Sequence, residues 1–235
     1  MGAGQGTGAA LAAAGYTAMA VDFPGYGLSA PLPGCSLAGM AVSVQALISH
    51  LGASPATVVG HSMGGMVAQE LVATAPQGVR ALVLAGTSPA FGKPGGDWQQ
   101  QFLQSRFAPL DAGVGMAGLA GPLVAAMVAP GTAPDRQAAA QALMAGVPEA
   151  GYRAAVTALV AFDRRAGLAS IAVPTLVITG EHDRTAAPEV ARKMAERIPG
   201  AQLAILPAAG HLLNIEQPQA FNAALLAFFG GLALR

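Results

Sequence analysis

Charged residues, cysteine and aromatic residues are all scarce in this chain of 235 residues. Only 10% of the residues are charged, and 12 basic against 12 acidic side chains give no net charge. A protein that binds a phosphate backbone needs a basic surface, so we exclude nucleic acid as a partner. The first 69 residues contain a single Asp, Glu, Lys or Arg, which is Asp22. We expect a segment so poor in charge to lie inside a fold rather than at its outer layer.

Patterns that would indicate a disulfide, a metal site or a membrane span are also missing from the sequence. The single cysteine, Cys35, cannot form an intramolecular disulfide, and we interpret it as an apolar filler in a reducing compartment. No Cys and His cluster has the spacing of metal ligands, so we predict no metal. Uncharged runs such as 112–134 are interrupted by Gly and Pro, which argues against a spanning helix. We therefore expect a cytoplasmic protein with no membrane partner.

Short aliphatic runs alternate with longer helical stretches along the chain, which is typical of a parallel sheet covered by helices. The predicted strands are Thr17–Val21, Thr57–Val59, Ala81–Leu84, Thr175–Thr179 and Gln202–Leu206. The predicted helices between and after them are Leu37–His50, Met63–Ala75, Pro188–Ile198 and Pro218–Phe229. Gly or Pro follows each of these helices closely, as expected for helix ends. The predicted fold class is α/β, with a mostly parallel sheet flanked by helices.

Residues 87–173 differ from the rest of the chain. Their composition favours helices, with several Pro and Gly breaks, and they contain no convincing strand. The helical stretches predicted there are Trp98–Phe107, Ala112–Val128, Asp135–Ala145 and Pro148–Arg165. A set of ordinary crossover helices is one interpretation, but a single crossover needs far fewer residues. We predict an all-helical insertion over the sheet, with residues 1–86 and 174–235 as the core.

One segment has the pattern of a catalytic nucleophile. Residues 60–65 read G-H-S-M-G-G, directly after the predicted strand Thr57–Val59 and at the start of the predicted helix Met63–Ala75. This is the context that the G-x-S-x-G nucleophile turn requires. The glycines let strand and helix approach closely, and the positive end of the helix faces the Ser62 hydroxyl. We predict Ser62 as the nucleophile, with the N–H of Met63 as an oxyanion donor.

A serine nucleophile needs a base, and four histidines are available for that role. His50 is predicted at a helix end, His61 inside the turn beside the strand, and His182 in a polar loop facing solvent. His211 follows the predicted strand Gln202–Leu206 and precedes the last helix, which is where the base is expected. We therefore predict His211 as the base.

The acid that orients the base is expected in a loop at the same edge of the sheet. Asp183 ends the loop T-G-E-H-D at 179–183, which continues from the predicted strand Thr175–Thr179. Glu181 is too near the strand end, and Asp163 is predicted to be ion-paired within the helical insertion. We predict Asp183 as the acid.

With these residues in this order, the sequence resembles the lid-bearing α/β-hydrolase superfamily, especially its small esterase and enol-lactonase-like branch. Residues 22–29, D-F-P-G-Y-G-L-S, are similar to the family's D-x-P-G-x-G-x-S loop. The loops at 60–65, 179–183 and 209–213 match the family in order and spacing. The resemblance covers residues 2–230.

The resemblance implies a sheet of eight mostly parallel strands, a helical lid at 87–173 and hydrolysis through an acyl-enzyme without a cofactor. It also implies a second oxyanion donor, which would be the N–H of Ala3. The implied partner is a small apolar ester or lactone, since sites of this kind are mostly hydrophobic. Carbon–carbon bond hydrolysis, cofactor-free peroxidation and a non-catalytic binding protein or inactive fragment stay open as alternatives.

Apolar side chains of the insertion are candidates for substrate contact, although packing against the core explains most of them. The candidates are Trp98, Phe102 and Met127, together with Leu212 next to the predicted base.

The resemblance leaves a gap near the N-terminus. Family members have three strands before the segment that corresponds to 2–6, and the third lies between the counterparts of Thr17–Val21 and Thr57–Val59. Its absence would leave two rows of backbone groups unpaired, at a cost on the order of 10 kcal/mol. Three explanations stay open: the recorded sequence lacks an N-terminal part, which we expect, the flanking strands pair directly, or a second chain fills the groove.

Overall fold

Four parallel strands form one sheet, in the spatial order β1-β2-β3-β4, which is also their order along the chain. The computed structural model describes residues 5–92 and 97–232. The strands are β1 (Ala56–His61), β2 (Val79–Ala85), β3 (Thr175–Gly180) and β4 (Gln202–Leu206). Because the strands are parallel, their carboxyl ends meet at one edge of the sheet, and the loops that follow them lie close together.

Helices cover both faces of this sheet. The helices of the sheet region are α1 (Gln5–Ala13), α2 (Leu37–His50), α3 (Met63–Thr74), α8 (Pro188–Arg197), α9 (Leu213–Glu216) and α10 (Pro218–Leu232). Those between β2 and β3 are α4 (Asp97–Asp111), α5 (Gly115–Met127), α6 (Pro134–Ala145) and α7 (Glu149–Leu159), followed by the 3-10 helix Arg165–Ser170. We call residues 97–170 the inserted helical segment.

The alternation of side chains along β2 explains why helices are needed on both faces. Leu82 and Leu84 pack into a core built with α2, α3 and α8, whereas Ala81, Val83 and Ala85 pack into a second core with α1 and α10. All five side chains are fully buried, as expected for a central strand whose successive residues point to opposite faces.

Two short contacts tie the inserted helical segment to the sheet region. Phe91 N–H donates to the carbonyl of Phe162 at 2.9 Å, so the chain enters and leaves the segment at the same place. The Arg164 guanidinium forms an ion pair with the carboxylate of Glu70 on α3. The hydrogen bond between Phe91, which precedes α4, and Phe162, which follows α7, closes these helices into one inserted unit.

Most of the predicted elements are present with bounds close to the expected ones. β4 and α2 have the predicted bounds, and β1, β2 and β3 extend the predicted strands by one to three residues. α10 is longer than predicted, because Gly230 lies within it instead of ending it. The described residues form a parallel sheet flanked by helices, which confirms the predicted fold class, with four of the eight strands that the resemblance implies.

The predicted strand Thr17–Val21 is wrong. These residues belong to no helix or strand and are exposed to solvent. A groove of about 380 Å³ separates them from β1, so β1 is an edge strand within the described sheet. A β-prone sequence forms a strand only where a neighbour supplies hydrogen bonds, and direct pairing of Thr17–Val21 with Thr57–Val59 is therefore excluded.

Among the described helices, none combines the length and the apolar composition that crossing a membrane would need.

The loop at 22–29 packs against the inserted helical segment through two glycines. A Cβ added to Gly151 in α7 would collide with the carbonyl of Gly25. Gly25 itself has a φ of 82°, in the region that favours glycine. The glycine of the D-x-P-G pattern thus allows a close backbone contact between the loop and α7.

We predict that Gly151→Ala lowers the free energy of unfolding by about 1–3 kcal/mol, because the new methyl group overpacks this contact. The matched control is Gly8→Ala in α1, where an added Cβ meets nothing within 4 Å. That substitution should raise stability by up to about 1 kcal/mol, since Ala is the better helix former. Urea unfolding measures both, and equal effects of the two variants would contradict the packing described for Gly151.

Candidate active site

Ser62 lies at the junction between β1, which ends at His61, and α3, which begins at Met63. Its φ of 52° and ψ of −118° are unusual for a residue with a side chain. Two hydrogen bonds hold this backbone: Ser62 N–H donates to Ala85 O at 2.9 Å, and the Thr87 hydroxyl donates to Ser62 O at 2.7 Å. The turn is thereby fixed from the end of β2.

Glycines make this turn possible. A Cβ at Gly60 would collide with the backbone of Gly64, and a Cβ at Gly65 would lie 2.6 Å from the side chain of Thr87. Both sites lack room for any side chain, so β1 and α3 approach more closely than other residues would allow. The close approach is the physical reason for the glycine two residues before Ser62, and the contact with Thr87 is the reason for the glycine three residues after it.

The His211 imidazole lies between Ser62 and Asp183 and is buried. Its Nε2 is 2.8 Å from Ser62 Oγ, and its Nδ1 is 2.9 Å from Asp183 Oδ2. A carboxylate only accepts, so the tautomer that fits this geometry carries its proton on Nδ1 and leaves the Nε2 lone pair free to accept from the Ser62 hydroxyl. The three predicted side chains therefore form one continuous chain of hydrogen bonds.

The Asp183 carboxylate is held by the loop after β3. Its Oδ1 accepts the N–H groups of Thr185 and Ala186, both at 2.8 Å, while Oδ2 faces the imidazole. The two alternatives considered for the acid lie elsewhere: Glu181 is exposed, and Asp163 pairs with Arg165. The Arg165 guanidinium lowers the pKa of the Asp163 carboxyl, as expected for a surface ion pair.

His61 has a structural role that the sequence did not reveal. Its Nε2–H donates to the backbone carbonyl of His211 at 2.7 Å, and the two imidazole rings are 5.1 Å apart. Burial, and next the nearby His211 imidazole, lower the pKa of His61 to about 4. His61 therefore stays neutral near pH 7 and joins the turn at Ser62 directly to the loop that carries His211.

Of the two predicted oxyanion donors, Met63 and Ala3, only Met63 is among the described residues. Met63 is the first residue of α3, where N–H groups have no acceptor within the helix. Ala3 lies outside the described residues.

The four predicted substrate-contact residues fall into two groups. Met127 and Leu212 pack together with Val124 beside His211, whose backbone N–H donates to Met127 O at 2.8 Å. Trp98 and Phe102 instead stack on each other with ring centres 5.7 Å apart, and Trp98 is 49% exposed. The contacts of the first group bring it next to the three hydrogen-bonded side chains.

No group of three or more His, Cys, Asp or Glu among residues 5–92 and 97–232 has the arrangement of a metal site.

Comparison with known proteins gives a consistent result across most of the chain. The sequence pattern of the alpha/beta hydrolase fold matches residues 5–218. A Mycobacterium tuberculosis protein named BpoC, assigned provisionally as a non-heme bromoperoxidase, is 31% identical over 228 residues, covering 94% of this chain and 85% of its own. The 3-oxoadipate enol-lactonase 2 of Acinetobacter baylyi is 30% identical over 216 residues, covering 90% and 78%.

The solved structure of a thermophilic esterase from Thermogutta terrifontis superimposes with a TM-score of 0.82 at 25% identity, covering 90% of this chain and 78% of that one. Pattern, relatives and structure agree. The chain belongs to the α/β-hydrolase family, as the resemblance of its four loops implied.

The lowered pKa of His61 predicts a pH dependence of stability. The unfolded chain binds a proton at His61 near pH 6.5, whereas the folded protein binds it only near pH 4. The free energy of unfolding should therefore fall as the pH decreases through this window, by up to about 3 kcal/mol from this residue. His61→Gln keeps an N–H donor and cannot titrate, so its stability should fall less between pH 6.5 and pH 4.

Urea unfolding of the wild type and of His61→Gln at several pH values measures this difference. His182→Gln, which changes an exposed histidine, is the matched control for the substitution itself. Parallel pH profiles for the wild type and His61→Gln would contradict the prediction.

Proposed function

We propose that the protein is a serine hydrolase that cleaves a carboxylic ester or lactone through an acyl-enzyme. The observation that carries this proposal is the chain of hydrogen bonds from Ser62 Oγ through the His211 imidazole to Asp183, with distances of 2.8 and 2.9 Å. Nucleophile, base and orienting acid in mutual contact are what acyl transfer requires.

In the proposed mechanism, Ser62 Oγ attacks the carbonyl carbon of the substrate while His211 Nε2 takes its proton. The tetrahedral intermediate collapses as His211 passes that proton to the leaving oxygen, which gives the alcohol and an ester on Ser62. Water then attacks this ester while His211 accepts a proton from it. The bond to Ser62 breaks as His211 returns that proton to Ser62 Oγ, and the carboxylic acid is released. Asp183 stabilises the positively charged imidazole in both halves.

The negative charge on the carbonyl oxygen needs donors that are already in place. The N–H of Met63 at the start of α3 supplies one, and the N–H of Ala3 is proposed as the second. One such donor contributes roughly 3–4 kcal/mol to the stabilisation of the transition state. The backbone bonds at Ser62 support the proposal, because they fix the residue that precedes Met63.

The inserted helical segment is proposed as the lid over this site, within the boundaries 87–173, on a core formed by 1–86 and 174–235. Met127 and Leu212 beside His211 favour an apolar substrate of modest size. The lactonase among the relatives supports a lactone, and the esterase among the solved structures supports an open-chain ester.

Peroxidation without a cofactor is a second candidate, favoured by the Mycobacterium tuberculosis relative. In that reaction hydrogen peroxide replaces water in the second half, so that the acyl group leaves Ser62 as a peracid and the serine hydroxyl is restored. Comparing rates of acid and peracid formation from one ester, with and without peroxide, separates the two reactions.

Hydrolysis of short p-nitrophenyl esters and of simple lactones should depend on the three proposed residues. We predict that Ser62→Ala lowers kcat by about 10,000-fold or more, and that Asp183→Asn lowers it to a similar extent because the imidazole loses its orienting partner. Asp163→Asn is the matched control, since that carboxylate pairs with Arg165 away from the site, and its activity should stay within about twofold of wild type.

A fluorophosphonate probe should label the wild-type protein at Ser62, as mass spectrometry of the labelled peptide can establish. If Ser62→Ala hydrolyses the same esters as fast as the wild type, the proposed function is wrong. If folded wild-type protein takes up no probe and turns over no ester, a non-catalytic binding protein is the better description.

A further inference from the structure

Glu216 is a buried carboxylate next to the base, and the proposed mechanism does not use it. Its side chain is 2% exposed and accepts four hydrogen bonds. Oε2 accepts the N–H of Ala129 at 2.7 Å, the hydroxyl of Thr132 at 2.8 Å and the N–H of Gly210 at 3.0 Å, and Oε1 accepts the N–H of Leu212 at 3.0 Å. Two of these donors come from the inserted helical segment, and the other two flank His211.

Further hydrogen bonds hold the backbone around the base. His211 N–H donates to the carbonyl of Met127 at 2.8 Å, so the three consecutive N–H groups of 210–212 bond either to the inserted helical segment or to Glu216. A Cβ at Gly210 would lie 2.5 Å from Ala129 N, which shows how closely the two backbones approach. The loop of the base therefore rests directly on the connection between α5 and α6.

The charge of Glu216 is balanced by dipoles rather than by a cation. Within the described parts of the chain, no Lys or Arg forms an ion pair with its carboxylate, and Arg136 donates instead to its backbone carbonyl. Burying a carboxylate is costly unless hydrogen bonds satisfy it. Four donors converging on one carboxylate satisfy it only when the inserted helical segment and the histidine loop are both in place.

We propose that Glu216 is a positioning residue that couples the inserted helical segment to the base. It sets the position of the His211 imidazole relative to Ser62 according to where the connection at 127–132 lies. A substrate that holds this connection in place thus also aligns the base, and substrate selection acts on kcat more than on KM. This inference rests on the proposed function, because it assigns a role within the same reaction.

Glu216→Gln tests the proposal with almost no change in volume. A glutamine amide presents two N–H groups where a carboxylate oxygen accepted bonds, so at least one of the four donors faces another donor. We expect kcat to fall about 10- to 100-fold with KM changed by less than about threefold, because small displacements of a catalytic group reduce rates by this order. The rate of fluorophosphonate labelling at Ser62 should fall in parallel with kcat.

A matched control separates positioning from stability. Glu70→Gln changes another buried glutamate, which pairs with Arg164 instead of supporting the histidine loop. It should lower the melting temperature while kcat stays within about twofold of wild type. Thr132→Val removes the hydroxyl that lies within hydrogen-bond distance of both Glu216 Oε2 and Ala129 O, and leaves the three N–H donors to Glu216 in place. We expect it to lower kcat roughly 3- to 10-fold even if Glu216→Gln folds poorly.

A readout independent of turnover is the low-field NMR resonance of the Nδ1 proton between His211 and Asp183. It should shift or broaden in Glu216→Gln and stay unchanged in Glu70→Gln. The proposal would be overturned if folded Glu216→Gln kept the wild-type kcat and an unchanged resonance. It would also be overturned if the losses of kcat in Glu216→Gln and Thr132→Val only followed the unfolded fraction. An inactive wild type would refute the proposed function instead, and the resonance would still decide whether Glu216 positions the imidazole.

Discussion

The backbone turn at Ser62 is the constraint on which the rest of the site depends. Its positive φ is possible because β1 and α3 approach through Gly60 and Gly65, and because Thr87 and Ala85 hold the turn with hydrogen bonds. A strained backbone conformation of this kind persists only where several surrounding contacts hold it in place. The parallel sheet provides those surroundings, since it brings the ends of β1, β2, β3 and β4 to the same edge. The Ser62 hydroxyl follows β1, the Asp183 carboxylate follows β3 and the His211 imidazole follows β4. The turn at Ser62 directs the hydroxyl toward the imidazole.

Local signals in the sequence were sufficient for most of the fold. The apolar runs that became β2 and β3 are buried on both faces, and a Gly or Pro lies two residues beyond the ends of α2, α3 and α8. Thr17–Val21 has the same β-prone character and is nevertheless no strand. Its composition favours an extended backbone, but a strand also needs a hydrogen-bonded neighbour. Within the described residues, Thr17–Val21 lies across the groove from β1 and pairs with no strand. Pairing is a property of two segments, so one segment's sequence cannot predict it.

The candidate site shows the same division between local and distant information. Ser62, His211 and Asp183 each lie in a loop that directly follows a predicted strand, so their common location could be inferred from topology alone. His61 and Glu216 could not be found in this way. The partner of His61 is 150 residues away, and two donors to Glu216 come from a segment more than 80 residues away. Neither residue belongs to a motif whose chemistry requires it, and a burial pattern would have been the only available signal.

The open side of the sheet has a consequence for Ser62, the proposed nucleophile. β1 ends one residue before Ser62 and is hydrogen-bonded to β2 on one side, while its other side faces the groove, where Val59 is 40% exposed. Ser62 thus follows an edge strand of the described sheet, paired on one side only, and its placement depends on β2 and α3. Any water or polypeptide that occupies the open side of β1 would therefore contact the strand that ends directly before Ser62, the proposed nucleophile.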